Sequence, residues 1–194
     1  TSSAAVNYLP GACTYEPSDI PFEYYAQLTD NPKYMKDYAK FATDIAAGQL
    51  PSFSFLKATS YKQEHPGFDT TISKGATFVG EVVNAVLSSP YKDDTLILVT
   101  WDEGGGYFDH VPPPTNMGPA DMEPYGTRVP LLAIGKFARK NYVSHVTMEH
   151  SSVVKFLEYN FLGKSGQLQT RDAFVNNIGS LLDPTTTGIV IPDR

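Results

Sequence analysis

Residues 100–114, TWDEGGGYFDHVPPP, set two adjacent carboxylates, Asp102 and Glu103, against three glycines, follow them with an Asp-His pair and close on three prolines. Carboxylate oxygens are hard donors, and two that converge suit a divalent cation. In an ideal strand neighbouring side chains point to opposite faces, so convergence requires the chain to leave the strand there, which Gly104-Gly105-Gly106 permits. Capping of a turn by the same two carboxylates is the other reading. Asp109-His110 has the form of a pair in which a carboxylate orients an imidazole and fixes its tautomer. Tyr107 and Phe108 either wall a pocket or anchor the loop. Pro112, Pro113 and Pro114 stiffen its exit.

The elements that must position these groups follow from hydrophobic patterning. The near-continuous apolar run DDTLILVTW, ending at Trp101, predicts a strand buried on both faces of a parallel sheet. Ligands of open α/β sheets sit beyond the carboxyl ends of such strands, where Asp102 and Glu103 fall. A second run, VPLLAIG, spans 129–135, and PSFSFL alternates with period two and predicts a third strand ending near Lys57. Asp30 or Asn31 as N-cap, Pro32 in the first turn and Gly48 past the end predict a helix carrying Tyr34, Tyr38, Phe41, Ala42 and Ile45 on one face. Thr70 or Thr71 caps a second helix with Ile72, Ala76, Val79, Val83, Val86 and Leu87 inward, which stops before Pro90. Two more helices are predicted, from about Ser151 to Phe161 (Val153, Val154, Leu157, Phe161) and from about Thr170 to Leu182. Residues 8–32, with Pro10, Pro17, Pro21 and Pro32, predict an extended docked segment. The class is therefore α/β, with helices covering a sheet whose three strands are too few for a free-standing doubly wound domain.

Other polar groups are weighed against this frame. Glu64-His65-Pro66-Gly67 falls in the loop after the PSFSFL strand, on the same sheet edge if the strands are parallel; taken alone, His65 reads as a turn residue. In His150-Ser151-Ser152 a serine at a helix start reads as an N-cap rather than a nucleophile, and His145 reads as surface. No G-x-S-x-G elbow, no G-x-x-x-x-G-K-[ST] loop and no G-x-G-x-x-G fingerprint occurs in the 194 residues. A net charge of -6 and a pI near 5.1, with Lys and Arg dispersed, argue against a nucleic-acid partner. No apolar run approaches the roughly twenty residues that span a bilayer. The single cysteine, Cys13, excludes an internal disulfide framework and a thiolate cluster.

Taken in order, EHPG, VVNAVLSSP, DEGGGYFDHVPPP, GTRVPLLAIG and EHSSVVKFLE resemble the bacterial phosphoesterase family of phospholipases C and acid phosphatases, within the alkaline-phosphatase-like superfamily. CTYEPSDIPFEYY and FATDIAAGQLPSFSFL fit its middle region, so the resemblance runs over roughly residues 15–162. It implies an alkaline-phosphatase-like sheet flanked by helices on both faces, with this chain as the C-terminal portion of one domain: a docking segment over 1–29, a core over 30–162, and a C-terminal helix and tail over 163–194. It implies one or more divalent metal ions, held in part by Asp102 and Glu103, that activate a Ser or Thr nucleophile and bind phosphate oxygens. His65 matches a histidine of the phosphate pocket, with Glu64 beside it; His110 matches a second; Tyr107 and Phe108 border the substrate, a phosphate ester or phospholipid. A secreted or periplasmic location is implied as well.

The family's N-terminal Glu-Asn motif, similar to ENRSFDH, and its nucleophile have no counterpart in these residues. The expectation is a C-terminal part of a longer polypeptide, inactive alone and weak in metal binding because two carboxylates are too few ligands. Cys13 would then pair with a cysteine elsewhere in that polypeptide. The alternative from another functional class is a non-catalytic module using the acidic loop for a metal or a partner.

Overall fold

The computed structural model describes residues 19–190 apart from 69 and 119. Cys13 and the first eighteen residues of the expected docking segment lie outside the described residues. The chain divides after Tyr91 into two compact units. The fold mixes helix and strand, consistent with the α/β class: four α-helices and one two-stranded sheet are present among the described residues.

In the first unit, Pro21–Tyr24 forms a 3-10 turn and residues 26–30 continue in turns rather than extended backbone. Helix α1 is Tyr38–Ala46, with Asp37 at its N-cap. It starts later than the sequence predicts because Asp30 takes a left-handed φ of 52° and backbone bonds at Asn31, Tyr34 and Met35 close turns instead of a helix. Its end agrees with expectation, Gly48 standing just beyond at φ 68°. PSFSFL forms no strand: the described residues supply it no ladder partner. Its alternation still has a consequence, since Phe53 and Phe55 both set an edge against the Phe22 ring, at 6.2 and 5.6 Å between centroids.

Helix α2, Ile72–Leu87, is capped by Thr71, whose Oγ1 accepts from the Lys74 N–H at 3.3 Å. Gly75, Phe78 and Val86 form its buried positions, whereas Ile72, expected inward, is 58% exposed. Phe78 meets Tyr38 of α1 at 5.0 Å, and Lys62 lies over both rings while bound to Glu81 at 2.7 Å.

The second unit holds the sheet. Strands β1, Leu96–Thr100, and β2, Leu131–Gly135, pair antiparallel, Leu96 opposite Gly135 and Thr100 opposite Leu131. The parallel, doubly buried strand predicted from DDTLILVTW is thus corrected: β1 carries alternate residues Leu96 and Leu98 to the core, and no β1 residue is fully buried. The apolar run supports a ladder of either polarity; only the partner decides it.

Helix α3, His150–Leu162, closes on Gly163 in left-handed conformation. Its Phe156 forms the core with Ile178 and Leu182, against which Leu96, Leu98, Leu131, Val153 and Leu157 pack. The helix expected over 170–182 is reduced to α4, Arg171–Phe174, followed by a 3-10 turn at Gly179–Leu181. The Asn177 side chain explains the break, since it takes the Gly179 N–H at 2.6 Å and diverts the backbone. Two buried carboxylates brace the intervening loop: Glu158 accepts from Gly166 and Gln167, Asp172 from Leu168 and Thr170. Burial works against the charged form of Asp172, but these N–H donors outweigh it and lower its pKa. No described helix is long and apolar enough to cross a membrane.

Candidate functional site

Strand β1 ends at Thr100, so the chain has already left the ladder when it reaches Asp102 and Glu103. Thr100 Oγ1 donates to the Pro130 carbonyl at 2.8 Å, and His150 Nε2 donates to the Trp101 carbonyl at 2.8 Å, which ties the strand end to the first residue of α3. Both carboxylates are exposed. Asp102 Oδ1 accepts from the Glu103 N–H at 3.1 Å and Glu103 Oε2 from the Gly105 N–H, so each stiffens the turn it belongs to. Gly105 and Gly106 take φ of 63° and 76°, conformations that an L side chain strains. Gly104 has a different duty, because a Cβ there would collide with Thr127 Oγ1.

Asp109 does not orient His110. It binds Arg128 through two parallel bonds, Nε to Oδ2 at 3.0 Å and Nη2 to Oδ1 at 2.7 Å, and also accepts the Val111 and Arg128 backbone N–H groups. The guanidinium first, then the Val111 N–H, hold the Asp109 carboxyl far below the usual carboxylate range. His110 is exposed and sets its ring against Phe108 at 5.2 Å. A cavity of about 410 Å³ is lined by Gly104, Tyr107, Phe108 and Asp109 from the loop and by residues 127–130 from the segment entering β2. Tyr107 and Phe108 are 52% and 84% exposed, so neither anchors its loop by burial.

Glu64 and His65 belong to the first unit. Glu64 lies over the first turns of α2, where its side chain occupies the space a Cβ on Gly75 would need. His65 Nδ1 donates to the Pro66 carbonyl at 2.6 Å, and its ring meets Phe68 edge-on at 5.3 Å. Neither serine after His150 is set up as a nucleophile: Glu149 is the N-cap of α3, Ser152 is fully buried accepting the Glu149 N–H, and Ser151 donates to the Glu149 carboxylate.

Chemically, the oxygens of Asp102 and Glu103 are of the kind a hard divalent cation takes, and two carboxylates would make up only part of a shell of six or more ligands. No group of three or more His, Cys, Asp or Glu side chains is gathered for a metal among the described residues.

A model of the phosphoesterase family matches residues 6–162, which include every group named above as a site candidate. The chain belongs to the phosphoesterase family. It is 31% identical over 175 residues to non-specific phospholipase C6 of Arabidopsis thaliana, covering 76% of this chain and 33% of that protein. It is 30% identical over 157 residues to phospholipase C B of Mycobacterium tuberculosis, covering 70% and 29%. To a non-hemolytic phospholipase C of Burkholderia pseudomallei it is 30% identical over 192 residues, covering 78% and 27%. This phosphoesterase chain therefore spans about a third of the length of the relatives it matches.

Two groups in this phosphoesterase chain escape sequence reasoning. Arg128 stands 19 residues from Asp109, and nothing local marks the pair. Arg171 gathers Asp121 (2.6 Å), Glu149 (3.3 Å) and the face of Tyr125, bracing the segment that leads from the loop towards β2. Hydrogen bonding from Arg171, then the Glu123 N–H, holds the Asp121 carboxyl down at about 2. An aspartate whose native pKa lies below its unfolded value of about 4 stabilises the fold above that pH and stops doing so as pH falls through its native value. The stability gap between wild type and Arg171→Ala, followed by urea unfolding, is thus expected to hold from pH 7 to about pH 4 and to shrink towards pH 2; a gap independent of pH would refute the pair's contribution.

Proposed function

We propose that this chain is the C-terminal part of a metal-dependent phosphoester hydrolase of the phospholipase C or acid phosphatase type, with an alkaline-phosphatase-like sheet completed by sequence outside these residues. The observation that carries the reading is the adjacent pair Asp102-Glu103 at the exit of β1, on a glycine turn beside an aromatic-walled cavity, within the span matched by the family. The phospholipase C names of three relatives and the one-third coverage of their length support it.

Asp102 and Glu103 would hold the cation, together with ligands from outside the chain. When bound, a divalent ion supplies charge that neutralises phosphoryl oxygens and acidifies a hydroxyl nucleophile. That nucleophile is a Ser or Thr outside the chain. His110 contacts the transferred phosphoryl group, and an imidazole is suited to this because it donates to an anionic oxygen or releases a proton near neutral pH. From its EHPG motif alone, His65, with Glu64 beside it, is read as a phosphate-contacting histidine of the family. Tyr107 and Phe108 receive the alcohol portion of the ester in the cavity between their loop and residues 127–130. A secreted or periplasmic location belongs to the same reading.

The test is release of p-nitrophenol from p-nitrophenyl phosphate and from p-nitrophenylphosphorylcholine by the intact protein that contains this chain. Hydrolysis of either supports the reading, and their ratio separates phosphatase from phospholipase C preference. Hydrolysis of neither, by a folded protein supplied with magnesium, calcium, manganese or zinc, would favour a non-catalytic metal- or partner-binding module.

A further inference from the structure

The segment that enters β2 grips the loop after β1 at three successive points. Thr100 Oγ1 donates to the Pro130 carbonyl at the loop's root, Thr127 fills the space beside Gly104, and Arg128 takes Asp109 in a two-bond fork near its far end. Between the last two grips lie the turn glycines, Tyr107 and Phe108; His110 follows directly after Asp109, and the Val111 N–H returns to the same carboxylate at 3.0 Å. Asp109 thus fixes the backbone on both sides of His110.

This arrangement does not read as a device for global stability. The Arg128 side chain is 61% exposed against 15% for Asp109, so solvent screens the pair from one side and its contribution to folding is modest. Geometry is what the fork supplies: two parallel bonds in one plane specify orientation as well as distance, which a lysine ammonium cannot do. Phe108 and His110 touch each other while both face solvent, so burial does not hold this part of the loop.

We propose that Arg128 is a positioning residue, whose fork on Asp109 holds residues 104–111 so that Tyr107, Phe108 and His110 keep one arrangement beside Asp102 and Glu103. The catalytic consequence rests on the reading of this loop as part of the phosphoesterase site; the mechanical one does not. A group that acts through another in this way costs about 10- to 100-fold in activity when removed, and a group positioned for the transition state affects kcat more than KM.

The experiment compares wild type, Arg128→Ala and Arg128→Lys in the intact protein by two readouts. Chymotrypsin cleavage after Tyr107 and Phe108 reports the loop directly: both variants should be cut at least about fivefold faster at a temperature where circular dichroism shows each fully folded. On p-nitrophenyl phosphate, kcat should fall about tenfold in Arg128→Ala, with KM within about twofold, and Lys should restore less than half of the loss. Cleavage of Arg128→Ala at the wild-type rate overturns the proposal. So does full recovery by Lys, which would make charge rather than the fork the operative feature, or a loosened loop with unaltered kcat. If wild type hydrolyses nothing, the functional reading fails, while proteolysis still decides whether Arg128 holds the loop.

Discussion

Replacing Asp102 with alanine in the intact protein is expected to lower phosphoester turnover by about a thousandfold while leaving the folded structure in place. The magnitude follows from what is removed. Loss of a single preorganised donor to a developing oxyanion costs about 10²–10³ in kcat, and a missing metal ligand withdraws charge stabilisation from every phosphoryl oxygen at once. The structure explains why the fold should survive. Asp102 is exposed and accepts the neighbouring Glu103 N–H, so its carboxylate stands at the surface and is not part of the buried core. Asp102→Asn keeps that acceptor and removes the charge; it should lose nearly as much activity, which separates metal holding from turn shaping. Steady-state kinetics with circular dichroism on both variants checks this. Near-wild-type activity in Asp102→Ala would assign the carboxylate to the turn.

Ile178→Ala should destabilise the second unit strongly, by about 2–5 kcal/mol. Ile178 is fully buried and meets Phe156 and Leu182 at the centre of the core, where β1, β2 and α3 all contribute neighbours. Truncation there removes transfer free energy and leaves a cavity that the ladder and the capped helix cannot collapse to fill. Phe108→Ala is the matched control: it removes a larger side chain, yet one 84% exposed, and should change stability by less than about 0.5 kcal/mol. Urea unfolding of the two variants measures the contrast, and equal losses would show that the assigned core is misplaced.

Parts of this architecture are legible in the sequence because their causes are local. Thr71 before an apolar face marks the start of α2, and the spacing of Val153 and Leu157 marks α3, since caps and 3.6-residue periodicity act within a few residues. The candidate loop stands out in the sequence for the same reason, through adjacent carboxylates, glycines and prolines. What fails depends on partners far along the chain. LILVT specifies a strand but not the antiparallel LLAIG that pairs with it. PSFSFL alternates correctly, yet its two phenylalanines find Phe22 instead of a ladder. Asn177 turns a periodic helix pattern into a bend by taking one backbone N–H. At the site, Asp109-His110 looks like an orienting pair because the two are neighbours in sequence, whereas the fork of Arg128 claims the carboxylate first.

The most direct measurement on the central claim is p-nitrophenyl phosphate hydrolysis by the intact protein before and after removal of divalent metal with a chelator, repeated on the Asp102→Ala/Glu103→Ala variant with metal content determined alongside. Activity that falls to background on chelation, returns on re-addition of a divalent cation, and is absent together with the bound metal in the variant is the result expected. A variant that retains both its metal and its activity would contradict the assignment of Asp102 and Glu103 as the carboxylates of a phosphoesterase site.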